Sequence, residues 1–363
     1  MTATTNTDAC VDDWSIDDAV LRLRHWAGDR MHVLPPPGPG EYAIGSAEDC
    51  WARIVDAKQL ISKRHAVVTH ERGKWIVRNL GKNGIKLDGV RTPEGVLEPG
   101  TELLIGDVQL VAESSRLAIL RGFLGRILGW RSACDLTVDL ALRAIRLAAA
   151  RRSALVVCGD DDMVSVARSL HRRLYDRDRP FVVCDPRRKR TEQNIRSPQN
   201  FETGMPALAA AARGTLCVLS HRLPSDFAAV KAALALPDTR VHLFVCTHDA
   251  GYAKACGAEV IAIPPLAARG DELARIVAEY AFDAAAELGV THRVFTRADH
   301  AWVIAHEASS LPAIEKATLR LVALRRAEGN VTHAAARLGM ARMSLHKWIG
   351  RRRLPVPIRV DEP

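Results

Sequence analysis

The feature that most constrains the fold is a series of short β-prone runs between residues 42 and 106, separated by turns that contain glycine, asparagine or proline. Runs of this kind, about 8 to 12 residues apart, are typical of a small antiparallel sandwich. They cover residues 42–44, 66–69, 75–78, 85–87 and 102–105. The pattern therefore predicts a β-sandwich over residues 19–115, with several of its loops gathered at one end.

Three of these loops carry groups that suit an anion. They contain Gly45-Ser46, Ser62-Lys63-Arg64-His65 and Leu80-Gly81-Lys82-Asn83-Gly84. A phosphate group has nearly two negative charges and three acceptor oxygens, so its binding sites use clustered donors rather than apolar pockets. Hydroxyl, amide and cationic groups from separate loops can meet at such a ligand. The pattern therefore indicates phosphate recognition.

The motifs resemble those of forkhead-associated (FHA) domains, which bind phosphothreonine in partner proteins. The resemblance implies that the phosphopeptide is bound by Ser46, Ser62, Lys63, Lys82 and Asn83. It also implies that the loops are shaped and braced by Gly45, His65 and Gly84. The family has arginine where this chain has Ser46, so a permanently charged, bidentate group is missing. A neighbouring cation, Lys63, Arg64 or Lys82, can compensate; the alternative is a sandwich that docks proteins without reading phosphate.

Length and composition indicate a multidomain globular protein. The chain has 363 residues, of which 48% are hydrophobic and 26% are charged. No apolar run approaches the ~20 residues of a membrane span, and the polar start lacks the features of a signal peptide. We therefore expect a cytoplasmic protein with a flexible N-terminus at residues 1–18 and no membrane partner. Its eight cysteines form no CxxC pair and no zinc-type cluster with histidine, so we expect free thiols, no metal and no cofactor.

The net charge of +9 is concentrated near the C-terminus, where residues 313–354 are rich in Lys and Arg and contain two acidic residues, Glu315 and Glu328. Apolar spacing predicts helices at 313–327, 331–338 and 342–352. Gly329 and Gly339 would end the first two helices, and Asn330 would cap the second. Short helices joined by tight turns are typical of a helix-turn-helix. A basic unit of this kind indicates binding to a polyanion.

The run from Gly329 to Lys347 is similar to the Fis-type helix-turn-helix that closes sigma-54-dependent transcriptional activators. The resemblance implies a DNA-binding domain at 312–354, followed by a tail at 355–363. DNA would be contacted by Thr332, Arg342, Met343, Ser344, His346, Lys347, Arg351 and Arg352. Such domains generally pair through their first helix, so a homodimer or higher oligomer is expected. The alternative is a basic helix pair with no DNA role.

Apolar strands alternate with helical segments over residues 122–289, which predicts a parallel sheet covered on both faces. The strands are expected at 154–158, 181–184, 215–219 and 241–247, a lid helix at 271–288 and linker helices at 290–311. The segment resembles the AAA+ core of the same activators. The resemblance rests chiefly on Ile263-Pro264-Pro265-Leu266 and Arg269-Gly270-Asp271-Glu272-Leu273.

The residues that would handle ATP in such a core are replaced. A phosphate loop needs glycines, a lysine and a Ser/Thr, but the first strand is followed by Gly159-Asp160-Asp161-Asp162. The strand that should end in Asp-Glu ends in Ser220-His221. The activators' sigma-54 contact loop is missing between residues 184 and 214. We therefore expect a degenerate nucleotide site without ATP hydrolysis; magnesium capture by the three carboxylates is the alternative.

These observations predict a multidomain regulator with an N-terminal β-sandwich, a central α/β AAA+-like domain with a helical lid, and a C-terminal all-α helix-turn-helix. It would bind DNA and a phosphorylated protein, with RNA polymerase as a further partner, and would not be an enzyme. Two alternatives are an interaction adaptor and a divergent but ATP-dependent sigma-54 activator. A basic cluster, Arg187-Arg188-Lys189-Arg190, would contact DNA phosphates or an acidic partner, or form a solvated loop.

Overall fold

The computed structural model of the protein describes residues 18–175, 178–191, 198–255 and 258–357. These residues fall into two compact units, one made of 18–125 with 130–150 and the other of 126–129 with the described residues from 151 onward. The expected flexible N-terminus, apart from residue 18, and the end of the expected tail lie outside the described residues. Within the described part of the chain, no helix is long and apolar enough to cross a membrane.

The first unit is a sandwich of two largely antiparallel sheets, with strand orders β2-β1-β11-β10-β7-β8 and β4-β3-β5-β6-β9. The strands are β1 (Val20–His25), β2 (Met31–Val33), β3 (Glu41–Gly45), β4 (Ala52–Arg53), β5 (Ala66–Glu71), β6 (Lys74–Asn79), β7 (Ile85–Leu87), β8 (Val90–Thr92), β9 (Glu94–Leu97), β10 (Glu102–Ile105) and β11 (Val108–Ser114). Side chains such as Leu23, Ile44 and Val68 fill the space between the sheets. The five predicted strands are confirmed as β3, β5, β6, β7 and β10.

Two helices follow the sandwich, α1 (Ser115–Leu128) and α2 (Ser132–Ala150). Helix α2 is joined to β1 and β11 by a buried ion network. The guanidinium of Arg24, which is 1% exposed, donates to Asp139 Oδ2 at 3.0 Å and to Glu113 Oε1 at 3.3 Å. The sequence predicts that the central domain starts at residue 122. In the structure, α2 belongs to the same compact unit as the sandwich, although it follows that residue.

The second unit contains the predicted parallel sheet, with strand order β14-β13-β15-β16-β12-β17. Its strands are β12 (Leu155–Cys158), β13 (Phe181–Cys184), β14 (Gln199–Phe201), β15 (Thr215–Leu219), β16 (His242–Thr247) and β17 (Glu259–Ala262). Its short and medium helices are α3 (Met163–Leu174), α4 (Gly204–Ala210), α5 (Phe227–Leu234) and α6 (Ala250–Ala255). The uninterrupted apolar character of β12 and β13 reflects burial on both faces of the sheet.

Five helices complete this unit: α7 (Leu273–Glu287), α8 (Arg297–His306), α9 (Leu311–Arg326), α10 (Val331–Arg337) and α11 (Arg342–Gly350). Side-chain caps fix several of their starts: Ser310 accepts from Ala313 N, and Thr296 and Asp299 form a capping box. Helices are present where a lid helix and three C-terminal helices were predicted, with ends shifted by a few residues. The predicted linker helices at 290–311 correspond to a short helical turn at His292–Val294 and to α8, whose Trp302 packs edge-on against Trp348 of α11.

Helix α9 is buried on more than one side. Its buried residues include Ile314, Ala317, Leu321, Val322 and Leu324, which do not fit on a single narrow stripe. Helices α7, α8 and α10 contact α9 within this unit. Ser169 of α3 donates to the carboxylate of Glu315, near the start of α9. These contacts bury much of the apolar surface of α9 within its own unit.

Candidate functional site

His65 fastens two loops at one end of the sandwich. The residue is completely buried, and its Nδ1 accepts a hydrogen bond from Ser62 N at 3.0 Å. Its Nε2 lies 3.1 Å from Gly84 O and donates to that carbonyl. Gly81 lies against the imidazole face, where an added Cβ would come within 2.7 Å of the ring. The expected bracing role of His65 thus has a defined geometry that joins the β4–β5 loop to the β6–β7 loop.

The β3–β4 loop is joined to the same point by backbone contacts. Ser46 N donates to Ser62 O and Ala47 N donates to Lys63 O, both at 3.1 Å. This approach is possible because Gly45 has no side chain: a Cβ there would lie 2.1 Å from Lys63 O. Ser46 itself is half-buried and directs its hydroxyl to Ile61 O at 3.3 Å. The structure therefore brings together the three loops that the sequence analysis selected.

The cations of this loop cluster differ in their availability. Arg64 is paired with Asp49 at 2.7 Å, so its charge is already matched. Lys63 and Lys82 are exposed and have no ion-pair partner among the described residues. Exposed Asn83 donates to Leu60 O at 2.7 Å and closes one side of the cluster. The surface between the loops therefore carries hydroxyl, amide and two free ammonium groups.

A further cation at this end was missed by the sequence analysis. Exposed Arg91 on β8 lies over the backbone of Gly84, where a built Cβ would be 2.9 Å from its Nε. The register of the β7–β8 hairpin pairs Lys86 with Arg91, which carries Arg91 back toward the third loop. The sequence signal for this placement is the Asp88-Gly89 turn, a typical two-residue hairpin connection.

The helix-turn-helix also has the predicted arrangement. Leu345 and Trp348 of α11 are buried, as are Ala334 and Ala335 of α10. The predicted DNA-binding residues Thr332, Arg342, Met343, Ser344, His346, Lys347 and Arg351 are all exposed. Helix α11 therefore presents a continuous polar and basic surface opposite its packed side, which suits insertion of a helix into a major groove.

Arg352 is not part of that surface. Its guanidinium stacks over the Trp348 ring at 5.1 Å, donates to Trp348 O and forms an ion pair with Glu307. The predicted DNA contact of Arg352 stays a prediction, and the ion pair with Glu307 would compete with it for the guanidinium. The sequence shows three adjacent arginines but not which of them turns inward.

The predicted nucleotide site lies at the carboxyl end of β12, where ligands bind in open parallel sheets whose strand order reverses. His248 Nδ1 donates to Gly159 O at 2.7 Å, and Ser220 Oγ bonds Thr247 Oγ1 at 2.9 Å. The rings of His221 and His248 are 6.1 Å apart. Gly159, Ser220 and His221 thus lie at the same edge of the sheet.

The carboxylates at this edge are used within the chain. Asp162 caps α3, accepting from Ser165 N at 3.3 Å and from Ser165 Oγ at 2.6 Å. Half-buried Asp161 accepts from Leu311 N, at the start of α9, at 3.3 Å. Burial raises the pKa of the Asp161 carboxyl, and the neighbouring Asp160 and Asp162 add to the increase. Among the described residues, no group of three metal-binding side chains is placed to hold an ion.

The basic cluster at residues 187–190 is partly engaged. Arg188 Nε lies 3.4 Å from Asp185 Oδ2, and Arg190 stacks over the Phe201 ring at 5.1 Å. The remaining two cations, Arg187 and Lys189, are exposed. The cluster is therefore anchored to the sheet edge by two of its four side chains.

Two family models match the chain. Residues 42–106 match the FHA domain, and residues 310–350 match the model described as bacterial regulatory protein, Fis family. The N-terminal sandwich is an FHA domain, and α9 to α11 form a Fis-type helix-turn-helix. Neither match includes the central α/β sheet. The comparison with curated proteins gives no match.

Several solved structures are similar to the N-terminal part. Mycobacterium tuberculosis EmbR in complex with a low-affinity phosphopeptide is 23% identical, with 27% of this chain and 25% of EmbR covered and a TM-score of 0.24. The FHA-1 domain of Mycobacterium tuberculosis Rv1747 is 20% identical, with coverages of 26% and 98% and a TM-score of 0.22. The FHA domain of CT664 from Chlamydia trachomatis is 19% identical, with coverages of 25% and 92% and a TM-score of 0.22.

Proposed function

We propose that the protein is a DNA-binding transcriptional regulator that docks a phosphothreonine-containing partner. The observation that carries the proposal is the presence of an FHA domain and a Fis-type helix-turn-helix in one chain. The FHA domain would bind the phosphorylated partner, and the basic recognition helix would bind DNA. An adaptor without DNA binding would leave the exposed residues of α11, including Arg342 and Lys347, without a role.

The phosphate would be bound by the loop cluster around His65. Ser62 and the backbone of the loops would supply neutral donors, and Asn83 would hold the peptide backbone. Lys63, Lys82 and Arg91 would supply the positive charge that Ser46 does not. Charge-assisted hydrogen bonds of this type are roughly twice as strong as neutral ones.

The central sheet would act as a scaffold without ATP hydrolysis. The start of α3, where a phosphate would meet free backbone N–H groups, is already capped by Asp162. Asp161 occupies the same edge and bonds the first residue of α9. These carboxylates would repel a triphosphate, which favours a core that holds the DNA-binding helices over one that turns over nucleotide. The descent of this core from sigma-54-dependent activators is part of the hypothesis.

A homodimer or higher oligomer remains part of the hypothesis. Ile314, Leu321 and Leu324 of α9 are buried within the chain, so they do not offer the two-fold contact expected of Fis-type domains. A homodimer or higher oligomer would have to use another surface. A contact with RNA polymerase belongs to the same hypothesis and rests on the family resemblance alone.

Replacing Ser46 with arginine tests whether the loop cluster binds phosphothreonine. We expect Ser46→Arg to tighten binding of a phosphothreonine peptide about tenfold, because a charged hydrogen bond contributes roughly 1.5–3 kcal/mol. The measurement is fluorescence anisotropy with a degenerate phosphothreonine peptide library and its unphosphorylated counterpart. Ser46→Gln is the matched control and adds length without charge. Equal binding of both peptide libraries by both variants would refute phosphate reading and favour phosphate-independent docking.

A further inference from the structure

The rotation of α11 about its own axis is fixed by the side chains that it buries. Leu345 is completely buried, and Trp348 is 7% exposed. Trp302 of α8 packs edge-on against the Trp348 ring, with the ring centroids 6.1 Å apart. Just beyond the end of α11, the guanidinium of Arg352 is paired with Glu307. One side of the helix is therefore held against the protein, and the opposite side is presented to solvent.

Met343 lies at the middle of the side of α11 that faces solvent, and it is 63% exposed. Consecutive residues of a helix are about 100° apart, so Met343 lies roughly 160° from Leu345 and roughly 140° from Trp348 around the helix axis. Arg342 is its neighbour in sequence but lies only about 60° from Leu345. The side chain most directly opposite the packed side is therefore the apolar one of Met343.

The chemistry of Met343 differs from that of its exposed neighbours. His346 and Lys347, about one turn further along, carry nitrogen atoms that can donate to phosphates or to base edges. The thioether of Met343 has no donor and is only a weak acceptor, so the partner that fits it is an apolar group. Residues at the start of a recognition helix contact base edges in the major groove. The apolar group that base edges present there is the C5 methyl of thymine.

We propose that Met343 is a specificity-determining residue that contacts the methyl group of a thymine in the DNA site. This inference rests on the proposed function and deepens it, because it names one base that α11 selects. Cations such as Lys347 strengthen binding to any duplex through its phosphates, whereas a methyl contact distinguishes thymine from the other bases. The sites that the protein prefers should therefore contain a thymine whose methyl group contributes to affinity only when Met343 is present.

The test compares thymine with uracil, which differs from thymine only in lacking the C5 methyl. Preferred sites are first selected from a random-sequence duplex library with the full-length protein. Each thymine of a selected site is then replaced singly by uracil, and the affinity is measured by fluorescence anisotropy. We expect uracil at one thymine for each bound α11 to weaken wild-type binding about fourfold, because the contribution of one buried methyl group is lost. Met343→Ala should bind the thymine and uracil duplexes equally.

Met205→Ala is the matched control, because Met205 on α4 is another exposed methionine of the same unit. It should keep the wild-type discrimination against uracil. A wild-type protein that selects a defined site but shows no position at which uracil weakens binding would overturn this inference and leave the proposed function standing. A uracil effect that Met343→Ala retains in full would have the same meaning. A library from which the wild type selects no site would overturn both.

Discussion

Replacing Gly45 with alanine is expected to weaken binding of a phosphothreonine peptide by at least about a hundredfold, which is a loss of roughly 3 kcal/mol. A Cβ at this position would lie 2.1 Å from Lys63 O and 2.9 Å from Ser62 O. Both atoms belong to the backbone, so no side-chain rotation relieves the overlap. The β4–β5 loop must move away, and Ser62 and Lys63 move with it.

The comparison is made by anisotropy with the phosphothreonine peptide library, and by thermal unfolding of the same samples. Gly28→Ala is the matched control, because a Cβ at Gly28 would meet nothing within 4 Å. Ser62→Ala is a second pocket variant that causes no overlap and should weaken binding about tenfold through a lost charge-assisted hydrogen bond. If Gly45→Ala and Ser62→Ala both bound the peptides as tightly as the wild type, the loop cluster would not be the binding site.

Removing the Asp139 carboxylate is expected to lower the free energy of unfolding of the first unit by about 3–5 kcal/mol. Arg24 is 1% exposed, and its guanidinium would keep Glu113 as its remaining carboxylate partner. The backbone N–H of Ala27 would also lose its acceptor, because it donates to Asp139 Oδ2 at 2.7 Å. The buried Arg24 guanidinium would keep only one of its two carboxylate partners, and the Ala27 N–H would lose its hydrogen bond to Asp139.

Urea unfolding of the full-length protein, followed by tryptophan fluorescence, measures this effect. Asp49→Ala is the matched control, because it removes a solvent-exposed ion pair with Arg64 and should leave the unfolding midpoint almost unchanged. Arg24→Met combined with Asp139→Leu should restore much of the stability, since well-packed apolar residues can replace a buried ion pair. Equal unfolding midpoints for Asp139→Ala and Asp49→Ala would show that the buried network does not stabilise the unit.

Much of the fold follows from local patterns. Alternation in Lys74–Asn79 buries Trp75 and Val77 and leaves their neighbours exposed or half-buried, which is the period that predicts a half-buried strand. Short strands such as β14 (Gln199–Phe201) have too few residues to show any period. The attachment of α2 to the sandwich depends on Asp139 meeting Arg24 across more than a hundred residues, and no local pattern contains that pairing.

In the candidate sites, too, some features could be predicted from local motifs and others could not. The bracing of the loops by His65 could be predicted, because the motif fixes both its position and its neighbours. The place of Arg91 depends on the register of the β7–β8 hairpin, and the inward turn of Arg352 depends on Glu307 and Trp348, which reach it only in the packed structure. Likewise, the sequence shows three aspartates after β12, but not that Asp161 bonds the start of α9.

The central claim is that the protein binds specific DNA sites without needing ATP. It is tested most directly by footprinting the full-length protein on genomic DNA fragments, with and without ATP and magnesium, beside the variant carrying Arg342→Ala and Lys347→Ala. We predict discrete protected sites that are the same with and without ATP, and a loss of at least about tenfold in affinity for the variant. Protection that required ATP, or that the variant retained in full, would contradict the account.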